Sequence, residues 1–231
     1  MVYYRGQLWR DRCNCRSPFE LNRHRFYRIK NRYLRTKKTG VNPVNTWQKD
    51  FTKIVVDYVD NFHTCIDVGS HYGFLTKEFS FYFDNVYAFE MNKKIYNYFL
   101  KNINDCDNVK SYNVALYNKE SNDLFSTDNL DSGQNMLSEK GSVKVKTKTL
   151  DSYKLKNVGL IKLDIQGGEF QALEGSVETL KNNDPILVVE VLNKKTYSEY
   201  LKNKKTIEFM FSLNYKIVNN LHNDIIFKKN V

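Results

Sequence analysis

No run in this chain of 231 residues approaches the roughly 20 apolar positions that a membrane-spanning helix needs, so no transmembrane segment is expected. The first residues, Met1-Val-Tyr-Tyr-Arg-Gly-Gln-Leu-Trp-Arg10, lack the apolar region of a secretory signal. Cysteine is scarce, at positions 13, 15, 65 and 106, and Cys65 falls inside an expected core strand. That argues against a disulfide framework and suits a reducing, cytoplasmic setting. Cys13 and Cys15, with His24 nearby, stand closer together than the usual zinc pair, so no metal is expected there. Arginine is absent from everything after Arg35.

That last absence divides the chain. Residues 1–38 hold 12 Lys+Arg against 2 Asp+Glu, whereas residues 39–231 hold 24 of each. All nine arginines fall between Arg5 and Arg35, interleaved with Tyr3, Tyr4, Trp9, Phe19, Phe26, Tyr27 and Tyr33. Guanidinium forks match phosphate and carboxylate geometry and stack on flat faces, which lysine does less well. Residues 1–40 therefore form a basic arm, with a helix expected over 18–34. The arm suits RNA or another polyanion, a glycan phosphate or an anionic membrane surface, or simply serves as a solvated leader. Gly40 and Pro43 mark the boundary with a body over 41–231. With 41 % apolar residues, 16 Tyr and 15 Phe, the chain can bury a full core.

In the body, helical and strand patterns alternate. Trp47, Phe51, Ile54, Val55, Tyr58 and Phe62 recur at helical spacing. Strand 63–68, helix 73–83, strand 85–90, helix 92–103 and strand 109–115 make two βαβ units. Residues 116–141 are expected to be irregular, and 142–149 alternates as a half-exposed strand. Then come strand 158–164, helix 168–182, strand 185–191, helix 196–212 and an antiparallel pair, 214–219 with 223–228. This is the order of a doubly wound α/β sheet, which binds ligands at the carboxyl ends of its strands. Asp67, Glu90, Asn113, Asp164 and Glu190 all fall at such ends.

The first strand ends in Asp67-Val-Gly-Ser-His-Tyr-Gly73, and Glu90 closes the second. Gly69 and Gly73 allow a tight turn beneath a ligand. Glu90 has two acceptor oxygens for the hydroxyls of a ribose. A dinucleotide fingerprint would need G-x-G-x-x-G, but there is no glycine at 71 or 72 and a carboxylate stands at 67. Asp67 is a poor neighbour for phosphates and a good one for the ammonium of an amino-acid tail. Ribose, adenine and a cationic tail without phosphate describe S-adenosylmethionine.

Asp164 stands at the tip of the fourth strand in Ile161-Lys-Leu-Asp-Ile-Gln-Gly-Gly-Glu169. A carboxylate there can take a proton from a hydroxyl, orient a substrate or help to hold a metal. Glu169 is a second catalytic candidate or a favourable charge for the helix dipole. His71, in the cofactor loop, is a candidate base or a loop hydrogen-bonding group. The turn after Asp164 has no proline, unlike the Asp/Asn-Pro-Pro-aromatic turn that frames an amine in nucleic-acid amino-methylating enzymes.

With these motifs in this order, the chain resembles the FkbM family of S-adenosylmethionine-dependent methyltransferases. The resemblance covers roughly 63–191. It is carried by Ile66-Asp-Val-Gly-Ser-His-Tyr-Gly73, Val86-Tyr-Ala-Phe-Glu90, Asn113-Val-Ala-Leu116, Thr149-Leu-Asp151, the stretch from Ile161 to Phe170, Leu173-Glu-Gly175 and Pro185-Ile-Leu-Val-Val-Glu190. It implies a class I methyltransferase fold, Rossmann-like, with a seven-stranded, mostly parallel sheet and an antiparallel terminal pair. It also implies O-methylation of a sugar, a glycan or another small hydroxylated metabolite. Asp67, Gly69, Ser70 and Gly73 would hold the methionine end, Glu90 the ribose, and Asn113 would stand near the adenine. Gly168, where the family often has alanine, is a departure. The arm lies outside the resemblance and keeps two other functions open. One is RNA ribose 2′-O-methylation, for which Lys53, Asp164, Lys194 or Lys195, and Glu208 appear in a suitable order. The other is a noncatalytic binding module that retains the cofactor fold.

Overall fold

The computed structural model describes residues 46–126, 137–138, 143–191, 197–221 and 223–230. The basic arm with Cys13, Cys15 and His24, its boundary at 40–43, and Lys194 and Lys195 lie outside the described residues. Helices are α1 (Thr46–Val56), α2 (Phe74–Phe79), α3 (Lys93–Asn102), α4 (Glu169–Glu174), α5 (Val177–Asn183) and α6 (Tyr197–Ser212). Strands are β1 (Thr64–Val68), β2 (Asn85–Phe89), β3 (Val109–Tyr112), β4 (Ala115–Leu116), β5 (Ser121–Ser126) and β6 (Leu137–Ser138). They continue with β7 (Val143–Lys148), β8 (Val158–Leu163), β9 (Ile186–Glu190), β10 (Tyr215–Leu221) and β11 (Asp224–Lys229).

Seven strands form one sheet in the order β10-β11-β9-β8-β1-β2-β3. Pairing is parallel from β9 through β3, and β11 runs antiparallel to both β9 and β10. This is the expected class I methyltransferase architecture. Alternation along the central strands divides the core in two. Ile66, Ile161, Leu187 and Phe227 pack on one face, while Cys65, Leu160, Val188 and Ile226 pack on the other with Phe51 and Val55 of α1. Successive strand residues point to opposite faces, so a strand covered on both sides reads as an unbroken apolar run. Among the described residues no helix is long and apolar enough to cross a membrane.

Three elements differ from the sequence-based expectation. The expected strand 109–115 ends at Tyr112; Ala115–Leu116 instead pairs with β7 in a second sheet, ordered β4-β7-β5-β6. Part of the stretch expected to be irregular thus forms β5, which pairs on the polar β7, and β6, which pairs on β5, rather than strands with an apolar pattern of their own. The helix expected over 168–182 is broken into α4 and α5 at Gly175 and Ser176. A Cβ on Gly175 would lie 2.1 Å from the carbonyl oxygen of Tyr117, so the chain passes there at backbone contact. Asp151 then starts α5 from outside, its carboxylate accepting from the backbone N–H of Glu178 at 3.0 Å and of Thr179 at 2.8 Å. A cap supplied 27 residues upstream leaves no local helix-start signal.

Candidate functional site

The carboxyl ends of β1, β2, β8 and β9 open onto a cavity of about 420 Å³, within the range of small-molecule sites. The turn after β1 forms its floor. Gly69 and Ser70 donate backbone N–H groups to the carbonyl of Phe89 at 2.9 and 3.0 Å, bending the chain over the end of β2. Gly69 has φ of +80°, and a Cβ on it would fall 1.9 Å from the carbonyl oxygen of Asp164. Glycine is needed there because the tip of β8 touches the turn, before any ligand is considered. Gly73, φ +82°, packs against Phe99 and does not line the cavity.

Asp67 lines the cavity while 2 % exposed, and its carboxylate accepts from the hydroxyl of Thr76. Burial raises its pKa to about 6, Thr76 and Lys162 pull it back, and Asp164 adds to the rise. Ser70 is buried on the cavity wall, and its Oγ has no hydrogen-bond partner. Glu90 is a clamp as well as a candidate ligand. Its Oε1 accepts from Asn92 N–H at 2.7 Å and its Oε2 from His71 N–H at 2.9 Å. Each oxygen keeps a second lone pair for a hydroxyl. Burial pushes the carboxyl of Glu90 up, and the two backbone donors counter it.

His71 stands between Glu90 and Asp164 with a left-handed backbone, φ +51°, and its ring meets Tyr72 edge-on at 4.2 Å. Burial lowers its pKa and Asp164 opposes that, so the imidazole favours the neutral form. Tyr72 and Phe74 continue the aromatic wall, their ring centroids 6.3 Å apart.

Besides Gly73, two expected site residues, Asn113 and Glu169, are placed outside the cavity lining. Asn113 donates to the carbonyls of Glu90 at 2.8 Å and Met91 at 3.0 Å, which pins the turn after β2. The neighbouring Val114 to Tyr117 line the cavity instead. Glu169 accepts from the N–H groups of Ile165 at 3.2 Å and Gly167 at 3.0 Å, closing the turn that carries Asp164. Lys53 and Glu208 also stay off the cavity, in exposed pairs with Asp50 and Lys204.

Asp164 is at the cavity, and its surroundings are richer than its sequence motif indicates. Lys162, 1 % exposed within β8, places its Nζ 3.3 Å from Asp164 Oδ2 and 2.9 Å from Asp224 Oδ1 on β11. The Nε2 of Gln166, a residue with φ of +56°, lies 2.7 Å from Glu190 Oε2 and 3.4 Å from Asp164 Oδ1. Burial raises the carboxyl of Asp164, but Lys162 and hydrogen bonds from Glu190, Lys162 and Gln166 hold it below the usual value. Glu190 takes the opposite course, pushed up to about 9 by burial and by the charge of Asp164. Burial opposes the ammonium of Lys162, which Asp164 and Asp224 nevertheless keep firmly protonated.

Lys162, Gln166 and Gln171 are the residues that motif reasoning missed, and Glu190 is expected from it only as a strand end, with no role there. A lysine inside the apolar run Val158–Leu163 is a signal in itself, since a buried ammonium needs carboxylate partners. Glu190 had one too: parallel pairing of Leu163 with Val189 puts it beside Asp164. Gln171 lines the cavity with an unpartnered Oε1, and nothing in its spacing distinguishes it.

The profile of the methyltransferase FkbM domain matches residues 67–217. No curated protein of described function matches the sequence. Among solved structures, methyltransferase FkbM from Methylobacillus flagellatus KT is similar at 16 % identity and a TM-score of 0.51, over 72 % of this chain and 43 % of that one. The chain therefore spans less than half of that protein. SMU.1697c from Streptococcus mutans, in complex with SAH, is similar at 12 % identity and a TM-score of 0.51, over 79 % of this chain and 97 % of that one. Precorrin 8w decarboxylase from Methanobacterium thermoautotrophicum aligns at 13 % identity and a TM-score of 0.50, over 83 % and 93 %. At such identities the likeness is one of fold.

Proposed function

The chain belongs to the FkbM family of S-adenosylmethionine-dependent methyltransferases, and on that premise we propose that it methylates a hydroxyl oxygen of a sugar, a glycan or another small metabolite. The residues present fit the cofactor. Glu90 keeps lone pairs for ribose hydroxyls, the unpartnered Ser70 Oγ and the Asp67 carboxylate suit an amino-acid tail, and Met91 with Val114 to Leu116 offers an apolar bed for adenine. When bound, the cofactor supplies a methyl carbon made electrophilic by its sulfonium.

The chain's own residues then position and deprotonate. Asp164, held ionised, accepts the proton of the acceptor hydroxyl, and Lys162 fixes that carboxylate in place. Neutral His71 contributes to the wall beside it. Positioning a nucleophile in line with a sulfonium supplies much of the rate, so a strong base is not required.

The observation that carries the acceptor class is the cavity lining. His71, Tyr72 and Phe74 form an aromatic wall, Asp164, Glu190 and Gln166 add hydrogen-bonding groups, and no lysine or arginine among the described residues lines the space. Aromatic faces with carboxyl and amide groups suit a neutral polyhydroxylated ring, and a phosphate would meet carboxylates. The Arg-rich composition of residues 1–38 is the one feature that favours RNA ribose as the acceptor. Offering host glycans, small sugars and RNA with methyl-labelled cofactor separates the two. Label in the glycan or sugar fraction as an O-methyl group is expected. Label in RNA alone, or an N-methyl product, would overturn the reading.

A further inference from the structure

Four carboxyl side chains, those of Asp67, Glu90, Asp164 and Glu190, line the cavity. Glu90 is taken up by two backbone N–H groups and Asp67 by Thr76. Asp164 and Glu190 differ from these, because the two side chains share partners and each other. Gln166 contacts both, at 3.4 and 2.7 Å, and Lys162 on β8 is the buried cation that meets Asp164. That one ammonium is also shared with Asp224, so a second negative charge on the pair has no cation to balance it. Two neighbouring carboxyls with a single shared cation hold one proton between them.

The tip of β8 also has a defined neighbour. The backbone of Asp164 lies against the Gly69 turn, close enough to exclude a Cβ there, and His71 stands between Asp164 and Glu90. With the ribose on Glu90 and the amino-acid tail on the Ser70 side, the linking sulfur falls in the cavity that this pair also lines, beside the turn that touches the tip of β8.

We propose that Asp164 and Glu190 form a one-proton carboxyl pair that recognises the positive charge of the bound cofactor, releasing its proton when a sulfonium arrives and keeping it when a thioether does. The inference rests on the cofactor reading above. A positive charge in front of the pair favours two carboxylates over one, so the proton of Glu190 passes to solvent. Without that charge Glu190 stays protonated at neutral pH, since burial and Asp164 hold its pKa near 9. The other groups facing the pair are Lys162 on β8, Asp224 opposite Glu190 on β11, Glu169 at the start of α4, Asp67 on β1, His71 in the turn, and Glu90 beyond β2. None of them is removed in Glu190→Gln, so the variant isolates the part that Glu190 plays. Glu190 becomes a specificity-determining residue, favouring the methyl donor over its spent product.

Calorimetric titration of the whole chain at pH 8, in two buffers of different ionisation enthalpy, counts the protons released on binding. S-Adenosylmethionine and S-adenosylhomocysteine carry the same amino-acid tail, but the sulfonium lowers the pKa of its ammonium, so the proton each free ligand must take up at pH 8, read from its own titration, is first subtracted from its count. Roughly half a proton more is expected to leave with the sulfonium ligand, for an opposite charge that moves the Glu190 equilibrium by one to two pH units. In Glu190→Gln, both ligands should bind with equal proton counts. Equal counts in the parent, or an unchanged difference in the variant, would overturn the proposal while leaving the cofactor reading intact. Binding of neither ligand to folded protein would overturn both. Should the variant fail to fold, the parent's two titrations decide by themselves.

Discussion

Glu90 joins two functions in one side chain. It holds the N–H groups of His71 and Asn92, and it still offers an acceptor from each oxygen toward the cavity. Removing it loosens the turns that carry those N–H groups and, on the proposed reading, also costs ligand contacts. Glu90→Ala should weaken S-adenosylmethionine binding by about tenfold or more, the scale of one or two hydrogen bonds to a charged group. Glu90→Gln, which keeps one acceptor oxygen and the shape, should lose less. Calorimetry on both variants, with circular dichroism as a check on folding, tests the ordering. Equal affinity in parent and Glu90→Ala would remove Glu90 from the site.

Among the elements, legibility in the sequence followed the kind of signal available. The strands β1, β8 and β9 are apolar runs bounded by a carboxylate, so both their extent and the site at their ends could be read directly. Asp67, Glu90 and Asp164 belong to that signal. Glu190 reads as a strand end, but its pairing with Asp164 and the part of Lys162 were hidden, because they lie across strands, in register and burial that no local window contains. Gly69 was identified for a ligand's sake, whereas its first constraint is the carbonyl of Asp164. The break between α4 and α5 was unreadable for a similar reason, since its cap comes from Asp151. Asp151→Ala removes the acceptor of two backbone N–H groups and of the Thr179 hydroxyl. It should lower stability by about 1 kcal/mol, a drop of about 2–4 °C in Tm for a chain of this size. Asp151→Asn should restore part of it. Thermal unfolding of the three proteins reads the difference directly.

For the whole molecule, the charge divides between a basic arm and a body with 24 charges of each sign. Polyanion binding, if the arm carries it, should fall steeply with salt as counterions are released. Deleting residues 1–38 should abolish binding to RNA, heparin or anionic vesicles. Affinity for S-adenosylmethionine should stay nearly unchanged, because the cavity lining among the described residues runs from Gln48 to Glu190. A truncated body that still binds polyanions as tightly as the parent would refute the division. Replacing all nine arginines by lysine separates charge from fork geometry: undiminished binding would show that charge alone is used.

The ion pair between Lys162 and Asp224 also sets an order in time. The two residues are 62 positions apart, with α4, α5, β9, α6 and β10 between them, and β11 must insert beside β9 to bring them together. On a ribosome adding about 5–20 residues per second, Lys162 emerges seconds before its second carboxylate is made. Until then the growing chain has a core strand with an ammonium that only Asp164 can meet. The pocket floor at Gly69 and Glu90 can fold early, from neighbours close in sequence. Its charged wall can be completed only once β11 is in place. Competence to bind the cofactor should accordingly return late in refolding, together with the pairing of β11 and not with the formation of β1 and β2.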